Sequence, residues 1–164
     1  MLRNRALIFL LLIPSILSAQ TINDAIYGRH VWTKYSWTNA NVVALGANLT
    51  GELTVVTLPA LTIVKRAVVR IDTACAGTTT LTVSVGPDGT ELGYVLAADA
   101  KAAANTTYGA LIATVGALLS DGLGSLPSVT GTTVIKALFT STVQNLDAVT
   151  TCTGTIWLET ALLP

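Results

Sequence analysis

The sequence predicts a mainly β protein, an antiparallel β-sandwich or jelly roll with one or two short helices, and three observations carry that expectation. From residue 51 onward the apolar period is two rather than 3.6. In residues 80–85, Leu81, Val83 and Val85 alternate with Thr80, Thr82 and Ser84, which puts aliphatic groups on one strand face and hydroxyls on the other. The same region is written largely in Thr, Val, Ala, Leu and Gly, residues that build strands and turns and supply few reactive groups. Between the alternating segments fall Gly77, the run Gly86-Pro87-Asp88-Gly89, Asp121-Gly122 and Gly131, where turns need positive φ or a fixed proline φ. Two amphipathic sheets bury their apolar faces only against each other, which gives the sandwich.

The chain opens with MLRNRALIFLLLIPSILSAQ, in which Arg3 and Arg5 precede an apolar run and small residues lead up to Ala19. This is the layout of a secretory signal peptide over residues 1–19, and the run is short for a permanent membrane span. Its removal would leave 145 residues, enough for one domain with a hydrophobic core, carrying seven basic against nine acidic side chains. No later apolar run reaches spanning length without Thr, Gly or a charge, so no stable membrane insertion is expected after cleavage.

Residues 20–50 differ in composition from the rest of the chain. Tyr27, Trp32, Tyr35 and Trp37 lie in one window with Arg29, Lys34 and the single histidine, His30. Aromatics beside cations suit anchoring on another protein, with rings buried and charges paired at the rim, which marks Tyr27, Arg29, Trp32, Lys34, Tyr35 and Trp37 as partner-binding candidates on an N-terminal arm. The alternative is a first strand that packs on its own domain.

Residues 51–164 form the expected sandwich domain. Residues 53–58 make a β-rich segment ending at Pro59. Ala67, Val69 and Ile71 alternate with Arg66, Val68 and Arg70; Ile135, Ala137 and Phe139 with Lys136 and Leu138; Ile156 and Leu158 with Thr155, Trp157 and Glu159. Residues 97–104, AADAKAAA, have the alanine content of a short helix that Asn105 would stop. Residues 109–119 place Leu111, Ile112, Val115, Leu118 and Leu119 at helical spacing, with a strand as the alternative.

The chemistry the sequence offers is sparse, and no enzyme is expected. A Ser-His-Asp site would use His30, yet Gly124-Ser125-Leu126-Pro127 lacks the second glycine of a nucleophile turn. Pro127 likewise stands where a dinucleotide fingerprint needs its third glycine, so no cofactor is implied. One histidine and two distant cysteines make a poor metal site. Asp88 and Glu91 are the closest pair of acids able to share a loop, and solvated turn residues explain them better than a glycosidase pair. Lys65, Arg66 and Arg70 are the main basic group, the solvated face of one strand rather than a nucleic-acid surface. Cys75 shares the parity of Ala67, Val69 and Ile71, and Cys152 that of Ile156 and Leu158, so both should point inward and can meet. They are then either a disulfide or two separate buried thiols.

The segment VVRIDTACAGTTTLTVSV at 68–85, ELGYVLAADAKAAA at 91–104, VIKALFTST at 134–142 and NLDAVT at 145–150 together resemble the small virion surface proteins of tailed bacteriophages, of the head decoration or head fibre type. The resemblance spans residues 60–159 and implies a β-sandwich or jelly roll that binds a capsid lattice as a homo-oligomer, without a catalytic site. The export layout fits a second class, an exported bacterial β-sandwich that forms a surface layer or filament or mediates adhesion.

Overall fold

A computed structural model describes residues 30–109 and 130–163. The strands are β1 (Val31–Trp37), β2 (Thr50–Leu58), β3 (Thr62–Ala76), β4 (Thr82–Pro87), β5 (Val95–Asp99), β6 (Thr107–Gly109), β7 (Thr133–Thr140) and β8 (Thr151–Leu162). They form two four-stranded antiparallel sheets, ordered β1-β8-β3-β6 and β2-β7-β4-β5. The first strand pairs with the last, the second with the seventh, the third with the sixth and the fourth with the fifth. That is one long antiparallel ribbon folded at β4–β5 and then rolled, so that β8 lands beside β3 and β7 beside β4. Eight strands rolled in this order are a jelly roll.

The alternation places the core as the sequence predicts. Leu81, Val83, Val85, Ile135, Phe139, Ile156 and Leu158 are all buried and belong to one cluster between the sheets. Trp37 joins them edge-on to Phe139, with ring centroids 5.7 Å apart and planes at 74°, the geometry aromatic quadrupoles favour.

Trp37 sits where it does because of a glycine. Trp37 pairs with Gly154 in the β1–β8 register, and a Cβ built on Gly154 would stand 2.1 Å from Cζ2 of the indole. The ring therefore lies against bare β8 backbone, a closeness only glycine permits.

Two expectations are corrected. The segment 97–104 is not a helix. Its first part belongs to β5, and Ala98 of that strand and Ala100 just after it are fully buried, so packing overrides alanine's helical preference. Ala97 is held at φ 42° in an irregularity of the β4–β5 ladder, where its N–H donates to Ser84 Oγ at 3.0 Å. The turn after β5 ends at Asn105, at φ 69°, and fastens to the first sheet through Cys75 N–H to Ala100 O and Ile71 N–H to Thr106 O, each 2.9 Å. Regular helix appears instead at Asn39–Val43, where Asn41 Oδ1 accepts from the Thr38 amide and hydroxyl and Val42 is buried. A 3₁₀ turn, Leu146–Ala148, precedes β8. The segment 110–119 lies outside the described residues.

The second correction concerns the boundary at residue 50. Val31–Trp37 pairs along its whole length with β8, from Val31 opposite Thr160 to Trp37 opposite Gly154. Val31–Trp37 is thus part of the sandwich, because Trp37 is core and its strand is the edge of the first sheet.

Cys75 and Cys152, near the end of β3 and the start of β8, are joined in a disulfide across 77 positions of sequence. A loop of that size corresponds to about 4 kcal/mol in the chain-entropy model.

The Gly154 contact is directly testable. Gly154→Ala should destabilise the protein by about 1–3 kcal/mol through overpacking against Trp37, with a red shift or broadening of tryptophan emission. An unchanged melting temperature would mean that Trp37 is not seated on β8.

Candidate interaction surface

Strand pleating turns Trp32, Lys34 and Ser36 of β1 outward and Tyr35 and Trp37 inward. The β1–β8–β3 register then sets these outward residues in rows. Trp32 lies opposite Glu159, which lies opposite Arg66; Lys34 lies opposite Trp157, which lies opposite Val68; Ser36 lies opposite Thr155, which lies opposite Arg70. Within the rows the groups satisfy one another. Glu159 accepts from Arg66 Nε and stands 2.9 Å from His30 Nδ1. Arg66 also covers the Trp32 ring at 5.2 Å, and Lys34 the Trp157 ring at 5.6 Å, both cation–π distances. Asp72 accepts from Arg70 Nε and from the Thr155 hydroxyl, each at 2.6 Å.

These contacts fix the charge states. The Arg66 guanidinium holds the Glu159 carboxyl below the usual carboxylate range, against burial that pushes the other way, and His30 adds to the lowering. Burial pushes Asp72 up, but the Thr155 hydroxyl and Arg70 outweigh it, so its pKa is also lowered. Both carboxylates are therefore ionised at neutral pH, and the face is a set of charge-assisted hydrogen bonds framed by two indoles.

The structure divides the residues that the sequence singled out. Trp32 and Lys34 reach this face; Tyr35 and Trp37 point into the sandwich. Tyr27 and Arg29, like residues 1–19, lie outside the described residues. Arg66, Trp157 and Glu159 complete the face and were missed as a group. Their alternation was legible as outward-facing, but their meeting with Trp32 and Lys34 depends on the pairing of the first strand with the last.

Two further features adjoin the sandwich. Along the side where β1 and β2 form the sheet edges, Tyr35, Trp37, Asn41, Leu53, Val55 and Ile156 line a cleft of about 400 Å³. On the second sheet, Glu52, Asp88 and Glu91 bring carboxylate oxygens within 4.8 Å of one another. Lys136 pairs with two of these acids, Glu52 and Asp88, the latter at 2.8 Å. Asp88 foremost, with Glu52, raises the Lys136 pKa above the ordinary lysine value. Glu91 accepts from the Gly89 amide, as a turn residue does. Among the described residues, no helix is long and apolar enough to cross a membrane.

No protein-family model matches the sequence, and no curated protein matches it. Among solved structures, the chain is similar to one in the acid-stable capsid structure of Helicobacter pylori bacteriophage KHP30, at a TM-score of 0.51 and 16% identity, over 85% of this chain and 92% of that one. A chain in the capsid asymmetric unit of cyanophage Pam1 aligns at a TM-score of 0.47 and 20% identity, over 82% and 84% of the two chains. At these identities the likeness to the KHP30 chain is one of fold.

The Glu159 cluster makes a pH prediction whose sign is fixed. Its folded pKa lies below the unfolded value of 4.5, so the stability it contributes is present above about pH 4.5 and is lost as pH falls through the lowered folded value. Glu159→Gln should cost about 1–2 kcal/mol at neutral pH, the figure for charged hydrogen bonds reduced because Arg66 is half exposed. The gap from the unsubstituted protein should close in acid. Thermal melts of both proteins between about pH 7 and pH 3 check this, and a gap that persists undiminished in acid would assign the loss to packing rather than charge.

Proposed function

We propose that this protein is a non-enzymatic structural subunit of a virion surface, binding a capsid lattice as a decoration or fibre-type protein. The observation that carries the reading is the fold. Eight strands rolled as a jelly roll align over most of the chain with a component of a bacteriophage capsid structure. The sequence resemblance to phage head surface proteins over residues 60–159 supports the same class. The chemistry agrees with it: His30 pairs with Glu159 rather than with a hydroxyl, and Arg66 with Glu159 and Arg70 with Asp72 are engaged on the first sheet, an arrangement that makes a surface stiff.

A second reading is favoured by two specific observations, the export layout of residues 1–19 and the bridge between Cys75 and Cys152, which suits an oxidising compartment. On that reading the same jelly roll serves an exported bacterial layer, filament or adhesin.

One experiment separates the two. Quantitative mass spectrometry of density-purified phage particles from cells that encode the chain should find it in fixed stoichiometry with the major capsid protein. Recovery solely in the envelope or medium, with particles free of it, would reject the virion reading in favour of the exported one.

A further inference from the structure

The two outer faces of the sandwich are built as electrostatic inverses. On the first sheet the cations lie outermost: the Arg66 side chain is 47% exposed above Glu159 at 7%, and Arg70 is 39% exposed above Asp72 at 29%. Lys34 stands exposed beside them, next to the Trp157 ring. On the second sheet the order is reversed. Asp88 is 57% exposed and Glu52 40%, while Lys136, the ammonium they share, is recessed at 21%. A partner approaching the first sheet meets guanidinium and ammonium groups around an exposed indole, Trp32; one approaching the second meets carboxylates.

We propose that the outer face of the first sheet docks on the acidic outer face of the second sheet of another copy of this chain. The two patches lie on opposite sides of one sandwich, so no single molecule can bring its own together, whereas successive copies can. The formal net charge is zero over the full chain and minus two once residues 1–19 are removed, so copies approach with little long-range repulsion while the local fields attract and orient them. Trp32 and the half-buried Trp157 supply the apolar centre that a charged rim alone lacks. Because the contact joins two different surfaces it is heterologous, and it propagates into a closed ring or an open array according to the rotation between copies. This rests on the lattice-subunit reading and deepens it by naming how neighbouring copies meet.

The test uses sedimentation of the purified chain over a range of concentrations at low and high salt. The unsubstituted protein should associate in a concentration-dependent, salt-weakened manner. Lys34→Glu with Arg70→Glu should weaken association by at least about tenfold, and Glu52→Lys with Asp88→Lys should do the same. An equimolar mixture of these two variants should associate again, since each then offers the face the other lacks. Circular dichroism confirms that each is folded; if a reversal unfolds, Lys34→Gln replaces it on the first sheet and Asp88→Asn on the second, both milder changes at exposed positions. The proposal is overturned if the unsubstituted chain stays monomeric, if both reversals associate as it does, or if the mixture remains monomeric. It is equally overturned if reversing the first sheet abolishes binding to particles but leaves self-association intact, because the face then serves a different protein. Presence of the chain in purified particles is scored separately, so a virion protein that fails to self-associate refutes the docking and leaves the proposed function standing.

Discussion

The indole of Trp37 rests on Gly154, the position of β8 that carries no side chain, and much of the molecule depends on that seat. Any larger residue would hold the ring off the backbone. With the ring in place, β1 is registered along β8, and β8 becomes an interior strand flanked by β1 and β3. The same register carries Trp37 onto Phe139 of the facing sheet, so a single contact ties the chain's first described strand to both sheets. The disulfide acts near the start of β8, tying it to the end of β3 within the last paired stretch of the two strands, between Thr73 opposite Thr153 and Ala76 opposite Thr151. Packing at Gly154 and the covalent tie at Cys152 thus fix the strand on which the first sheet is assembled.

What β8 holds on its inner side decides stability, and what it carries on its outer side decides what the protein can touch. Glu159, Trp157 and Thr155 are its outward residues, and each is matched by a group from β1 or β3 only because those strands are in register. An edge strand with unpaired backbone groups is an aggregation hazard. Here its outward Trp32 and Lys34 are held by Arg66 and by the Trp157 ring, and Arg66 in turn by Glu159, leaving a shaped, charged surface rather than a loose apolar one.

The legible part of the fold was the part with clean alternation. Leu81, Val83 and Val85 declared a strand because every second residue was aliphatic and every other one hydroxylated, and the segments around Phe139 and Ile156 did the same. Alanine misled at residues 97–104, since the side chain that favours a helix is also the one small enough to fill a tight inter-sheet space, and nothing local distinguishes the two uses. The aromatic window was ambiguous for a related reason. In VWTKYSW both faces are decorated, Trp32 outward and Tyr35 and Trp37 inward, so the period of two was present but did not reveal which face was core. The outer-face cluster was the least legible, because the union of Trp32, Arg66 and Glu159 is a property of long-range register, which hydrophobic pattern within a segment does not encode.

That β1 is an integral strand of the sandwich, not a detached arm, underlies both the core and the proposed surface. Residue-resolved hydrogen exchange of Val31–Trp37 in the purified chain tests it most directly. In an antiparallel edge strand alternate amides donate to the partner strand. The amides directed at β8 should therefore exchange about as slowly as those of β8 itself, and the intervening ones much faster. Uniform exchange across all seven residues at the rate of an unstructured peptide, with β8 still protected, would contradict the account.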